Sequence, residues 1–267
     1  MDISIVLPTY NRFHLLDYAI EALLNQKTAG LKYEVIIVDN NSTDQTADKI
    51  ASYSDRDRRI KYICEKRQGV AYSRNAGINA AQADLIAFCD DDVRVAEDWL
   101  ARIYEGLLRY PDADFVGGKV LPIWTDPPPA WINGKMAPLA FQDYGDVPVT
   151  VSLDDPRCLI SASLGVRSRA VTRAGLFPLE TQRVKDSAGS TEDADWEMRV
   201  WERGGHGIYL PEIVCFCPVP FSRLVKSYHR RWHLGHGKCN ALARRREYEG
   251  GSWRFLDVPS FVYRPVI

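Results

Sequence analysis

An α/β fold, a mostly parallel central sheet flanked by helices, is predicted by three observations. Short apolar runs alternate with stretches of helical period through the first third of the chain, which is the signature of a parallel sheet covered by helices. The runs Val35-Ile36-Ile37-Val38 and Leu85-Ile86-Ala87-Phe88-Cys89 are strand-sized, well short of the roughly 18 to 20 apolar residues that a bilayer-spanning helix requires. With 46% apolar and 26% charged residues over 267 positions, the chain buries a sizeable core and is not disordered.

Taken in order, Ile3 to Leu7 reads as the first strand, and Leu16, Ala19, Ile20, Leu23 and Leu24 follow it at helical spacing. Tyr33 to Val38 is the second strand. Ser42 with Gln45 three residues on is a capping-box pattern, predicting a helix that runs through Tyr53. Ile60 to Ile63, a helix from about Val70 to Ala81 and the strand Leu85 to Cys89 continue the alternation. Ligands of such sheets sit beyond the carboxyl ends of the strands, so Pro8-Thr9-Tyr10, Asp39-Asn40-Asn41 and Asp90-Asp91-Asp92 carry most weight.

A helix near Asp98 to Arg109 and a strand near Phe115 to Val120 lead into a long irregular segment holding Pro122, Pro127, Pro128, Pro129, Pro138 and Pro148. Loops of this length are usually functional. Trp124 and Trp131 either supply an aromatic wall for a ring-shaped substrate or pin the loop to the core. Pattern returns at Ser161 to Val166, a short helix near Ser168 to Ala174, a polar loop Lys185 to Ser190, a helix from around Glu192 and a strand near Gly207 to Leu210. The expected division is a domain over residues 1–220, in two parts of about 1–120 and about 121–220, and a basic helical extension over 221–267.

The formal net charge of −1 argues against a nucleic-acid partner, yet residues 223–246 hold eight Lys or Arg, three His and no acid. The six cysteines lack the paired spacing of a zinc site, which leaves reduced, structural thiols. No secretory signal is read at the N-terminus, so the expected location is cytoplasmic. Three consecutive carboxylates after a strand repel one another unless positive charge sits among them. A divalent metal is the simplest remedy, and oxygen ligands favour Mg²⁺ or Mn²⁺, which retains waters and binds substrate phosphates. The alternative is a solvated turn capping the next helix.

At these residues the chain resembles a known family. Leu7-Pro8-Thr9-Tyr10-Asn11-Arg12, Val38-Asp39-Asn40-Asn41-Ser42-Thr43-Asp44, Gly69-Val70-Ala71-Tyr72-Ser73-Arg74-Asn75-Ala76-Gly77 and Phe88-Cys89-Asp90-Asp91-Asp92 are similar to the ordered signature of glycosyltransferase family 2. Thr191-Glu192-Asp193-Ala194-Asp195-Trp196 resembles that family's late acidic motif. The resemblance implies the A-type glycosyltransferase fold, Rossmann-like, with a nucleotide-binding part over about 1–120, an acceptor part over about 121–220 and a C-terminal helical extension. It also implies an inverting transferase that moves a sugar from a nucleotide-diphosphate carrier, a UDP-sugar first, to the hydroxyl of a saccharide or lipid-linked acceptor in polysaccharide, lipopolysaccharide or glycolipid assembly.

Carried over residue by residue, Pro8, Thr9, Tyr10 and Arg12 belong to the nucleotide pocket, and Asp39 accepts hydrogen bonds from the base. Asn41, Arg67, Gly69, Arg74 and Asn75 lie nearby. Asp90 and Asp91 face the ribose or complete the metal shell. Asp92, with Asp90, contacts the cation; separately from the resemblance, one histidine of the basic segment, such as His233, joins the metal shell. Asp193 matches the catalytic base, with Glu192 beside it and Asp195 a decoy. The chemistry agrees with these residue types: a glycosyl carbon becomes oxocarbenium-like as the diphosphate departs, so catalysis needs charge neutralisation on the leaving group and a base for the attacking hydroxyl. A carboxylate on the opposite face of the sugar gives inversion. Both acids also favour a helix N-terminus, a role compatible with catalysis.

The basic segment has three open uses: Arg231, His233 or Lys238 contacts the diphosphate, the face rests peripherally on an anionic membrane, or it is simply solvated. The apolar tail Phe261 to Ile267 reads as a peripheral anchor or the stump of a longer chain. A sugar nucleotidyltransferase or a dinucleotide-binding oxidoreductase would need a glycine-rich loop after the first strand, and Pro8-Thr9-Tyr10-Asn11-Arg12 contains no glycine. A non-catalytic sugar-nucleotide binder remains the other rival.

Overall fold

The computed structural model describes residues 1–132, 137–185, 187 and 189–243, with two short paired strands at Arg254–Phe255 and Val258–Pro259. Strands β1 (Ile3–Thr9), β2 (Tyr33–Asp39), β3 (Ile60–Cys64) and β4 (Leu85–Cys89) form one half of a nine-stranded sheet. Its order is β3-β2-β1-β4, followed by β8 (Ser163–Arg167), β6 (Phe115–Trp124), β9 (Gly207–Val219) and β5 (Arg94–Val95). The short β7 (Val149–Val151) pairs antiparallel with β9. The first four strands and the β6–β9 pair are parallel, while β8 runs antiparallel between β4 and β6.

Every residue of β1, β2 and β4 is buried, because helices cover both faces as a parallel sheet requires. Leu16, Ile20 and Leu23 of α1 (Phe13–Leu24), Ile50 of α2 (Thr46–Ser54) and Trp99, Ile103 and Leu107 of α4 (Trp99–Arg109) pack on one face. Ala71 of α3 (Val70–Ala80), Ala170 of α5 (Ser168–Ala174) and Trp196 and Val200 of α6 (Glu192–Glu202) pack on the other. Gly77 sets how closely α3 approaches, since a Cβ there would lie 2.3 Å from Val6 Cγ1.

Three elements differ from the sequence reading. The capping box does not form: Ser42 Oγ accepts from Asn11 N–H at 2.9 Å, and Asp44 Oδ1 accepts instead from Thr46 N–H at 3.0 Å, so α2 begins at Thr46. Strand β6 does not stop at Val120 but runs through Pro122 to Trp124. Beyond Gly117 it has lost β8 as a neighbour and ladders on β9, where a strand tolerates proline. Strand β9 extends to Val219 because Pro211 falls within the register shift between its two halves.

The segment after 220 packs against the residues before it. A turn at Phe221–Arg223 leads to α7 (Lys226–Ala243). Leu224 closes a small core with Leu139 and Val219, against which Trp124, Ile132 and Phe141 pack. Tyr228 Oη donates to the Pro138 carbonyl at 3.1 Å. Trp124, 5.5 Å edge-on from Phe141, therefore pins the loop to the core. No helix of the described residues is long and apolar enough to cross a membrane. The apolar tail 261–267 and Arg244 to Arg246 lie outside the described residues.

Candidate active site

Strand order reverses between β1 and β4: the chain winds outward through β2 and β3, then returns to the other side of β1. That switch point is where open α/β sheets bind ligands, and the two strand ends are tied together there. Thr9 Oγ1 donates to Asp91 Oδ2 at 2.7 Å. Arg12, just past β1, reaches Asp91 Oδ1 at 2.8 Å and Asp92 Oδ2 at 2.9 Å. Burial pushes Asp91 up to about 6 even though Arg12 opposes it. For Asp92 burial acts the same way, but Arg12, Arg223 and Arg183 outweigh it and hold the carboxyl below its ordinary range.

Asp39 ends β2 and accepts from Ser42 N–H at 2.9 Å and Tyr62 Oη–H at 3.1 Å. Asn41 follows in a left-handed conformation, φ 60°, and Asn11 with φ 52° accepts from Thr43 N–H at 2.7 Å, which locks the first two loops together. Asn40, to which the sequence reading assigns no specific role, organises the next loop. Its amide donates to the Arg67 carbonyl at 2.6 Å and its carbonyl accepts from Gly69 N–H at 2.7 Å. Gly69 has φ 146°, which a side chain rarely adopts. Arg67 is exposed, pairs with Glu65 at 2.8 Å and lies over the Tyr72 ring. Pro8 is buried within β1, and Tyr10 is half-buried at its exit.

Arg74, 3% exposed on α3, joins the two acidic motifs. Its guanidinium contacts Asp90 Oδ1 at 3.3 Å on one side, and Glu192 Oε1 at 2.8 Å and Asp193 Oδ1 at 3.3 Å on the other. Burial would lower its pKa, but Asp193, Asp90 and Glu192 together raise it. Asp193, at the first turn of α6, also accepts from Ser161 N–H at 3.2 Å. Burial, opposed by Arg74 and reinforced by Glu192, pushes it up to about 6. Glu192 Oε2 is buried and has no hydrogen-bond partner among the described residues.

Two sequence assignments change. Asn75 does not face the nucleotide pocket: its carboxamide donates to the Phe177 carbonyl at 3.0 Å and accepts from Phe177 N–H at 2.9 Å, so both ends hold a backbone segment. His233 is not brought to the aspartates. It lines a cavity with Trp131, Lys226, His229, Arg230 and Leu234, and no group of three or more His, Cys, Asp or Glu among the described residues could hold an ion. Carboxylate capacity remains all the same. Among the described residues Asp90 Oδ2 and Asp92 Oδ1 accept no bond, which fits a hard cation bound mainly by waters and substrate phosphates. Asp195 pairs with Arg199 at 3.0 Å and accepts from Thr181 at 3.1 Å.

Two residues outside the sequence assignments complete the site. Arg223, past the expected boundary at 220, contacts Asp92 Oδ2 at 3.0 Å. Glu197, fully buried one turn beyond Asp193, accepts from Leu159 N–H with both oxygens at 3.0 Å. A glutamate four residues after an aspartate on a helix shares its face, which is the signal that could have found it.

A family model described as glycosyl transferase family 2 matches residues 4–145, more than half of the chain. The chain belongs to glycosyltransferase family 2. A second model, glycosyl transferase family group 2, matches residues 85–261. This family 2 chain is 26% identical over 238 residues to the glycosyltransferase AglE of Haloferax volcanii, covering 88% of this chain and 72% of that one. It is 42% identical over 103 residues to the validoxylamine A glucosyltransferase of Streptomyces hygroscopicus subsp. limoneus, covering 38% and 22%. Its fold is the A-type glycosyltransferase fold. The mannosyltransferase PcManGT from Pyrobaculum calidifontis, in complex with GDP-Man and Mn²⁺, superposes with a TM-score of 0.66 at 18% identity, over 95% of this chain and 66% of that one. S. aureus TarS 1-349 in complex with UDP-GlcNAc gives 0.66 at 17% identity, over 95% and 68%. The chain spans only 39% of a longer TarS structure.

Proposed function

We propose that this protein transfers a sugar, with inversion, from a UDP-sugar to the hydroxyl of a saccharide or lipid-linked acceptor in polysaccharide or glycolipid assembly. One observation carries the reading: a single guanidinium, Arg74, touches both Asp90 at the end of β4 and Asp193 on α6. The two acidic motifs therefore face one space.

The nucleotide lies over the ends of β1, β2 and β4, with Asp39 turned to the base and Arg12, Arg74 and Arg223 available to the diphosphate. Asp90 and Asp92 would hold Mg²⁺ or Mn²⁺, which when bound neutralises the departing diphosphate. Asp193 takes the proton from the acceptor hydroxyl as that oxygen attacks the anomeric carbon. Its elevated pKa suits a base working near neutrality. Glu192 Oε2, buried and without a hydrogen-bond partner among the described residues, is an acceptor for a sugar hydroxyl.

Asp193→Asn tests the assignment. Transfer should fall by roughly 10²- to 10⁴-fold, the usual contribution of a general base, while donor binding measured by calorimetry is retained. Normal transfer by the variant refutes the base. A wild-type protein that binds donor but never turns it over, by transfer or hydrolysis, is the non-catalytic binder instead.

A further inference from the structure

The face of α7 that carries Lys226, His229, Arg230, His233 and Leu234 is spaced i, i+3, i+4, i+7, i+8, the spacing by which a helix normally buries an apolar stripe. Here it opens, with Trp131, onto a cavity of about 610 Å³. The lining mixes two kinds of group. Trp131 forms an aromatic wall, edge-on to His229 at 5.0 Å, and Leu234 is 78% exposed beside it. Lys226, 5.9 Å over the Trp131 ring, and Arg230 one turn on supply two cations, and no carboxylate lines the cavity among the described residues. The other side of α7 is already occupied: His236 Nδ1 contacts the Ser190 carbonyl at 3.0 Å and stacks on Trp232. The cavity is also wired to the reaction centre. His229 Nε2 meets the Arg223 carbonyl at 2.9 Å, so that nitrogen carries the proton, and the Arg223 guanidinium holds Asp92.

We infer that this cavity is the acceptor subsite and that it takes a single amphiphilic phosphate which also bears the acceptor hydroxyl, with the phosphate on Lys226 and Arg230, the chain along Trp131 and Leu234, and the hydroxyl free to give its proton to Asp193 as it displaces the nucleotide diphosphate. Charge complementarity selects the head, since two cations one turn apart match a dianion. The apolar wall selects the tail, and the cavity's volume suits one ligand molecule. The role as acceptor site rests on the transferase reading above, but the binding does not.

The probe is dodecyl phosphate below its micellar concentration, titrated calorimetrically into the full chain. Inorganic phosphate, dodecyl maltoside and vesicles of phosphatidylglycerol are the other arms. The dodecyl phosphate monomer should bind saturably, and at least about tenfold more tightly than either inorganic phosphate or dodecyl maltoside, since each lacks half of the contacts. Lys226→Ala with Arg230→Ala, and separately Trp131→Ala, should each weaken it by roughly tenfold with melting temperature and UDP-sugar binding unchanged. Equal binding by dodecyl maltoside, binding seen only with vesicles, or full affinity in the Lys226/Arg230 variant overturns the proposal. Failure of UDP-sugar to bind wild type, with dodecyl phosphate still bound, overturns the transferase reading and leaves the cavity standing.

Discussion

Asp193 is under opposing pressures: burial and Glu192 favour its neutral form, and Arg74 favours its charge. With its pKa pushed up to about 6, kcat/KM should rise as pH passes through that value and level off above it, and a profile flat from pH 5 to 8 would remove Asp193 from the base role. The linkage sign is opposite for stability. A carboxyl whose folded pKa lies above its unfolded one binds its proton more tightly in the folded state, so its stabilising contribution is complete below the unfolded range and lost as pH rises through about 6. Asp193→Asn, which stays neutral, should therefore melt above wild type at pH 8, with the gap closing toward pH 4, as expected where activity is kept at the expense of stability. Glu197 works one turn away and differently. Burial holds it toward the protonated form, well above the usual carboxylate range, and both oxygens hold Leu159 N–H two residues before the Ser161 N–H that contacts Asp193. It is a positioning residue. Glu197→Gln should keep stability and kcat near wild type, whereas Glu197→Ala should cost about 1–3 kcal/mol, lower kcat more than it changes donor KM, and move the limb near pH 6. If Glu197→Ala leaves that limb unmoved, the residue serves the core alone.

At the scale of elements, local signals decided what was legible. The four parallel strands and helices α1, α3 and α4 lie within a residue or two of where periodicity put them, because buried strands and amphipathic helices write their pattern into adjacent positions. β6 and β9 were cut short at Pro122 and Pro211, whose tolerance depends on which neighbour a strand has lost, a fact about the sheet rather than the segment. Ser42 and Gln45 fit a capping box in spacing, yet Asp44 was nearer to the helix start and Asn11 claimed the serine. The site divides similarly. Asp90 to Asp92 and Glu192-Asp193 were visible as motifs, while Arg223 and Asn40 act through partners distant in sequence. Gly69, a pocket residue by its motif, has a conformational duty in the fold as well. At φ 146° and ψ 138°, Gly69→Ala should cost about 1–3 kcal/mol from backbone strain alone. It should also displace Gln182, whose Oε1 lies 2.1 Å from the added Cβ and accepts from Ala71 N–H. A melting temperature equal to wild type would refute that strain.

Over the whole molecule, segments remote in sequence converge on one charge problem. Asp90, Asp91, Asp92, Glu192 and Asp193 are paired directly with Arg12, Arg74 and Arg223. Five carboxylates thus face three directly paired guanidinium groups and, further off, Arg183, which leaves an excess of negative charge before any diphosphate arrives. A nucleotide diphosphate alone would add to that excess, and a divalent cation alone would find only one free oxygen on each of Asp90 and Asp92 among the described residues and must compete with Arg12 and Arg223 for Asp92. Together they cancel each other's cost, so binding should be strongly synergistic. With UDP and Mn²⁺ both present at about a hundred times the joint dissociation constant, the folded state gains roughly 2.7 kcal/mol, or about 5–10 °C in melting temperature for a chain of this size. Either partner alone should give a small fraction of that shift. Arg223→Ala should sharpen the dependence on metal, because Asp92 loses one of its two competing cations. Differential scanning fluorimetry over a grid of UDP and Mn²⁺ concentrations reads the coupling directly. A full shift from UDP in the presence of EDTA would mean that the arginines alone balance the diphosphate, and the cation would then have no part in holding the donor.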